Sequence, residues 1–171
     1  MITEEKVQAL AKQIFGVAQK TLETHGSLPP TLFLGNSKME VMMQNVTSFF
    51  MNNQKEQLVS VIKRMTSQLD LDIQIVILLS EGFLAQANEN NLKELQEEYN
   101  RTGSVQSMKG SKEIVLMNIE TQLGVWFAKS EIQLVDGKRM FVVPEVKRLE
   151  EVGAEGILTG FFGPTSETEL N

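Results

Sequence analysis

Residues 73–84 read Ile-Gln-Ile-Val-Ile-Leu-Leu-Ser-Glu-Gly-Phe-Leu, an almost unbroken aliphatic run that gives way to a polar step at Ser80, Glu81 and Gly82. A half-exposed strand alternates apolar with polar residues, and Ile73 to Leu79 does not. It therefore predicts a strand in the centre of a sheet, covered on both faces. The polar step predicts that the strand ends at Ser80, with Gly82 letting the chain turn. Strand ends are common places for working residues, and a serine beside a carboxylate makes Ser80 and Glu81 the candidate catalytic pair.

The flanking sequence supplies the elements for such a strand to join. Upstream, Thr3 has the chemistry of a helix N-cap, and Val7, Leu10, Ala11, Ile14, Ala18 and Leu22 recur at three- and four-residue spacing as far as Gly26. Pro29 and Pro30 force an extended segment, followed by a predicted hairpin: Thr31 to Leu34, a Gly35-Asn36-Ser37 turn, and Lys38 to Gln44. Asn53-Gln-Lys-Glu56 has capping-box spacing and opens a second helix with Leu58, Val61, Ile62, Met65 and Leu69 on one stripe, closed by Asp70-Leu-Asp72.

Downstream, residues 86–111 turn sharply toward Asn, Gln, Glu, Ser and Gly, which predicts a mobile polar loop in which Asn91 to Tyr99 has only a weak helical signal. Three further strands are predicted at Glu113–Ile119, Leu123–Leu134 and Arg139–Val143, the last two joined by Val135-Asp-Gly-Lys138, a strong hairpin signal. The sum is an α+β fold: two main helices on one face of a mostly antiparallel sheet of about six strands. Residues 1–144 form one domain, and 145–171 an acidic C-terminal tail with a Gly/Phe segment.

Charge and composition exclude several function classes. The chain of 171 residues carries a net charge of -6, and the tail accounts for -4 of it, with Lys147 and Arg148 against six glutamates. The remainder has mixed charge. Its Lys-Arg pairs at 63–64, 138–139 and 147–148 fall in different elements, so the clustered positive charge that holds nucleic acid is not expected. There is no cysteine, which removes disulfides, thiolate nucleophiles and thiolate metal sites. The N-terminal residues lack the pattern of a signal peptide, and the longest apolar run, Ile75 to Leu79, is too short to span a bilayer, so the expectation is a soluble, cytoplasmic protein.

Hydrolytic and metal chemistry find little to work with. The single histidine, His25, falls at the end of the first helix, where an imidazole complements the helix C-terminus rather than activating a serine. No zinc-ligand spacing occurs, and the carboxylates Asp70, Asp72, Glu81, Glu113 and Glu131 flank strands at no fixed interval, so no metal or other cofactor is assigned. Glycines 153, 156, 160 and 163 fit no phosphate-binding pattern, nor does Lys109-Gly-Ser-Lys112. Met39, Met42 and Met43 read as adaptable core filling, the alternative being a permissive binding surface.

Leu28-Pro29, the apolar strand ending in Ser80-Glu81-Gly82-Phe83, the variable polar loop and Lys112-Glu-Ile-Val-Leu116 together give an order that resembles a group of small uncharacterised bacterial and phage α+β proteins. The resemblance covers roughly residues 3–144 and implies no activity. Two functions stay open. One is a non-enzymatic accessory or interaction protein, self-associating or bound to another protein, with Ile157, Leu158, Phe161 and Phe162 of the tail as interaction residues docked on a neighbouring subunit. The other is a small-ligand binder or hydrolase-like enzyme using Glu81. On the simplest reading of Glu81 itself, the carboxylate points to water and Glu81→Gln changes stability by less than about 1 kcal/mol.

Overall fold

The computed structural model describes residues 1–149, so the tail residues Ile157, Leu158, Phe161 and Phe162 lie outside the described part. Helix α1, Glu4–His25, begins where the Thr3 hydroxyl accepts a hydrogen bond from the Lys6 amide at 3.4 Å, and ends at Gly26 in the left-handed conformation, with its N–H on the Leu22 carbonyl. Strands β1, Thr31–Asn36, and β2, Val41–Asn45, form the expected hairpin, but its turn lies later than the sequence suggests. Gly35 belongs to β1, where the sheet is tight enough that an added Cβ would collide with Ile75 Cγ2. Asn36 then organises the turn, its Oδ1 accepting from the amides of Lys38 and Glu40.

A short helix α2, Thr47–Met51, precedes α3, Lys55–Thr66. The capping box predicted at Asn53–Glu56 does not form, because Asn53 has φ 54° and the Gln54 amide instead bonds to the Phe49 carbonyl, 2.7 Å away. Strand β3, Ile73–Leu84, pairs with β1 on one side and with β4, Lys112–Thr121, on the other. Helix α4, Leu92–Thr102, and a 3-10 turn at Val105–Ser107 occupy the stretch read as a polar loop. No side chain of α4 is buried, and Met108, just beyond it, is the apolar anchor of the segment at 6% exposure.

Strand β5, Gly124–Glu131, completes the central meander. The predicted long strand from Leu123 to Leu134 breaks at Ile132, which is buried while its amide donates to the Glu113 carbonyl. Beyond the break, β6, Gln133–Val135, and β7, Lys138–Met140, make a separate two-stranded ribbon around the expected Asp136-Gly137 turn, where φ is 51° and 77°. The chain then runs extended over α1, held by Gln19 and Gln8 donating to the carbonyls of Phe141 and Val146 at 2.8 Å each. It returns to the sheet as β8, Lys147–Arg148.

The α+β class and the six-stranded antiparallel sheet, in the order β2-β1-β3-β4-β5-β8, are as the sequence indicates. The placement of the helices is not. Alternate residues of β3 feed two separate cores: Ile75, Ile77 and Leu79 pack under α1 with Val115, Met117 and Trp126, whereas Val76 and Leu78 pack under α3 with Leu32, Leu34, Leu58 and Ile62. The sheet is thus sandwiched, with α1 on its first face and α2–α3 on its second, because neighbouring residues of a strand point to opposite sides.

Candidate functional site

Ser80 and Glu81 do not sit at a strand end. Strand β3 continues to Leu84 because β4 offers partners for every residue of the step: Ser80 opposite Leu116, Glu81 opposite Val115, Gly82 opposite Ile114. The pleat therefore sends the two side chains to opposite faces, and they cannot act as a pair on one reacting group. The turn assigned to Gly82 is likewise absent. Its missing side chain instead leaves room for Leu116, whose Cδ1 would be 2.9 Å from an added Cβ.

Nor does Glu81 simply point to water. Its Oε1 accepts from the Leu28 amide at 2.6 Å and from Arg139 Nη1 at 3.2 Å, and its Oε2 lies 3.1 Å from Arg139 Nη2. Arg139 Nη2 also donates to Glu113 Oε2 at 2.9 Å, and Nη1 to the Gly26 carbonyl at 2.6 Å. The Arg139 side chain is three-quarters withdrawn from water, and its bonds to Glu81 raise its already high pKa further. One arginine from the β6–β7 ribbon thus ties together the end of α1, the segment leading into β1, and the adjacent ends of β3 and β4. The partners are 58 residues apart in sequence, and no local pattern announces them. Both carboxylate oxygens are engaged by donors of the protein itself, an arrangement suited to clamping elements together.

Ser80 faces the second side of the sheet, in a groove of about 260 Å³ bounded by Phe50, Lys55, Leu116, Asn118 and Phe127. The lining holds no histidine, and the side-chain oxygens of its one carboxylate residue, Glu81, are bonded to Leu28 and Arg139. His25, by contrast, is exposed in the last turn of α1, as expected. Among the described residues no group of three or more His, Asp and Glu side chains is arranged to hold a metal ion. Asp72, one of the scattered carboxylates, accepts from the Ser37 hydroxyl at 2.5 Å and amide at 3.2 Å, bonds that lower its pKa and brace the β1–β2 turn.

The feature that the sequence reading undervalued is β2. All five of its residues are exposed, with Met42 at 58% and Met43 at 66%. The methionines read as core filling are therefore divided: Met39 packs against the α1 core, whereas Met42 and Met43 lie on the surface. Leu71 stands beside Val41 and Met42 around a shallow groove of about 270 Å³. Among the described residues β2 is also an edge strand, bonded to β1 alone. The opposite edge, β8, is the two residues Lys147 and Arg148, and short, basic edges resist pairing. β2 has neither protection: Val-Met-Met-Gln-Asn carries no charge and no proline.

Among the described residues no helix is long and apolar enough to cross a membrane. No protein-family model matches the chain, and neither does a curated protein or a solved structure.

Proposed function

We propose that this is a non-enzymatic interaction protein that associates with a second copy of itself through the free edge of β2. The observation that carries the reading is the contrast between the two edges of one sheet, the one at β8 guarded and the one at β2 apolar and open. An uncharged edge strand with exposed backbone donors and acceptors is a template for another strand. Two copies related by a two-fold axis bring β2 antiparallel to β2, so that each subunit presents the same residues and the sheets join into one. Met42 and Met43 are suited to this, since the unbranched thioether side chain adapts to a neighbouring surface. The rival reading, catalysis or ligand binding through Glu81, loses its support because that carboxylate is spent on Arg139 and Leu28.

Light scattering on the intact protein tests the proposal, together with Met42→Lys and Met43→Lys, each of which places a charge on the edge at an exposed position. The expected result is a dimer for the parent and monomers for the variants, with unchanged circular dichroism. A monomeric parent, or variants that remain dimeric, would overturn it.

A further inference from the structure

We propose that two copies joined at β2 meet in one register, with Met43 of each chain on the two-fold axis, so that Met43 pairs with Met43 of the second copy and Val41 with Asn45 of the second copy. The inference rests on the self-association through β2 proposed above and fixes the geometry that association leaves open. The direction of each backbone group decides it. In an antiparallel ladder, successive residues of a strand turn their N–H and C=O alternately toward one neighbour and away from it. The β1–β2 hairpin pairs without interruption from Thr31 opposite Asn45 to Gly35 opposite Val41. At its two ends the inward groups are marked: the Asn36 amide donates to the Glu40 carbonyl at 3.0 Å, and the Val46 amide to the Pro30 carbonyl at 2.9 Å. Glu40 and Val46 therefore face β1, as do Met42 and Gln44 between them. Val41, Met43 and Asn45 turn their backbone groups outward, to the side on which, among the described residues, no strand lies.

Outward residues of one strand bond only to outward residues of the other, so a slip by one residue, which sets Val41 against Gln44, forms no ladder. Slips by two residues keep the alternation, and the ends of β2 choose among them. Centring the pair on Met42 leaves Asn45 opposite Met39 of the second copy, which has φ 65° and donates its amide to the Asn36 carbonyl within the turn. Centring it on Gln44 leaves Val41 opposite Thr47 of the second copy, the first residue of α2, whose amide is held by Asn45 Oδ1 at 2.9 Å. The register centred on Met43 gives every outward residue of β2 a partner. The side chains agree with it. Residues directly opposite in a sheet share a face, so Met43, opposite Phe33 of the α1 core, lies on the α1 face, and Met42, opposite Leu34 of the second core, lies on the other. The two exposed Met43 thioethers then meet across the axis on the α1 face, and each Met42 meets Gln44 of the second copy on the other. β2 holds no charged residue that would oppose its own copy.

Half-filtered nuclear Overhauser spectroscopy on an equal mixture of isotope-labelled and unlabelled full-length chain reads the register. At the non-hydrogen-bonded positions of an antiparallel pair the Cα atoms stand about 4.5 Å apart and their protons face one another between the strands. The expected contact between chains is from Met42 Hα to Gln44 Hα. Amide exchange supplies a second measure: when the concentration is raised until about nine-tenths of the chains are dimeric, exchange at Val41, Met43 and Asn45 should slow roughly tenfold, while Met42 and Gln44, already bonded to β1, change least. Contacts between chains from Met42 Hα to Met42 Hα, or from Gln44 Hα to Gln44 Hα, would overturn the register while leaving association through β2 intact. So would slowed exchange at the outward amides without the Met42–Gln44 contact. A chain that stays monomeric at every concentration, or a dimer in which exchange along β2 is unchanged, would overturn the register and the association together.

Discussion

Glu81→Gln removes one charge and changes almost nothing in shape, which makes it a sharp probe of the Arg139 clasp. The amide can keep its oxygen toward Leu28, whose N–H is 2.6 Å from Oε1, but its nitrogen then faces Arg139 Nη2, donor against donor, across the position where Oε2 accepts at 3.1 Å. Hydrogen bonds to charged groups contribute about 1.5–3 kcal/mol each. The two side chains are 26% and 25% exposed, so solvent screening reduces the ionic part, and Arg139 keeps Glu113 and the Gly26 carbonyl. The expected net loss is about 2 kcal/mol, or roughly 4–8 °C in melting temperature for a chain of this size. That is larger than the sequence alone suggests for a carboxylate pointing to water. Urea denaturation of Glu81→Gln, Arg139→Met and the double variant measures it. The singles should each destabilise, and the double should cost clearly less than their sum because the second change finds the bond already broken. A change within about 0.5 kcal/mol for Glu81→Gln, the range of an ordinary surface site, or simple additivity in the double variant, would refute the clasp.

Two further substitutions probe the layers that meet at β3. Ile77→Ala removes a fully buried side chain from beneath α1 and should cost about 2–4 kcal/mol in urea denaturation, a near-neutral result contradicting its central position. Gly35→Ala should destabilise by roughly 1–3 kcal/mol through overpacking against Ile75 Cγ2, and in the double variant Gly35→Ala/Ile75→Val, which keeps that methyl group, the strain should persist rather than be relieved.

The parts of the fold legible in the sequence were those set by neighbours along the chain. Thr3 and Gly26 bracket α1 because capping is local, and Asp136-Gly137 announces its turn because positive φ is a property of those residues. Ile73 to Leu79 declares a strand covered on both faces, a demand that already implies a layer on each side and so argues against placing both helices together. The end of β3 was misread for a different reason. Ser80-Glu81-Gly82 looks like a turn when judged by composition, and only pairing with Leu116, Val115 and Ile114, more than thirty residues away, keeps it extended. The candidate pair failed on the same point, since residues adjacent in a strand are separated by the sheet. Met42 and Met43 carried an ambiguous signal, because methionine fills cores and coats binding surfaces with equal ease; their exposure on the edge strand removes them from the core.

The two cores also differ in when they can close during synthesis. Among the described residues every buried member of the second-face core lies between Leu32 and Leu78, so that cluster is present in sequence before the chain is half made. The core under α1 draws on Ile2 at one end and Phe141 and Val146 at the other. At about 5–20 residues per second, α1 waits roughly 6–24 s after its last residue is added before Val146 exists. The earliest helix is therefore the last to be housed. Throughout that interval the apolar stripe from Val7 to Leu22, rather than any of the late strands, is the surface most open to capture by other nascent chains or by a chaperone.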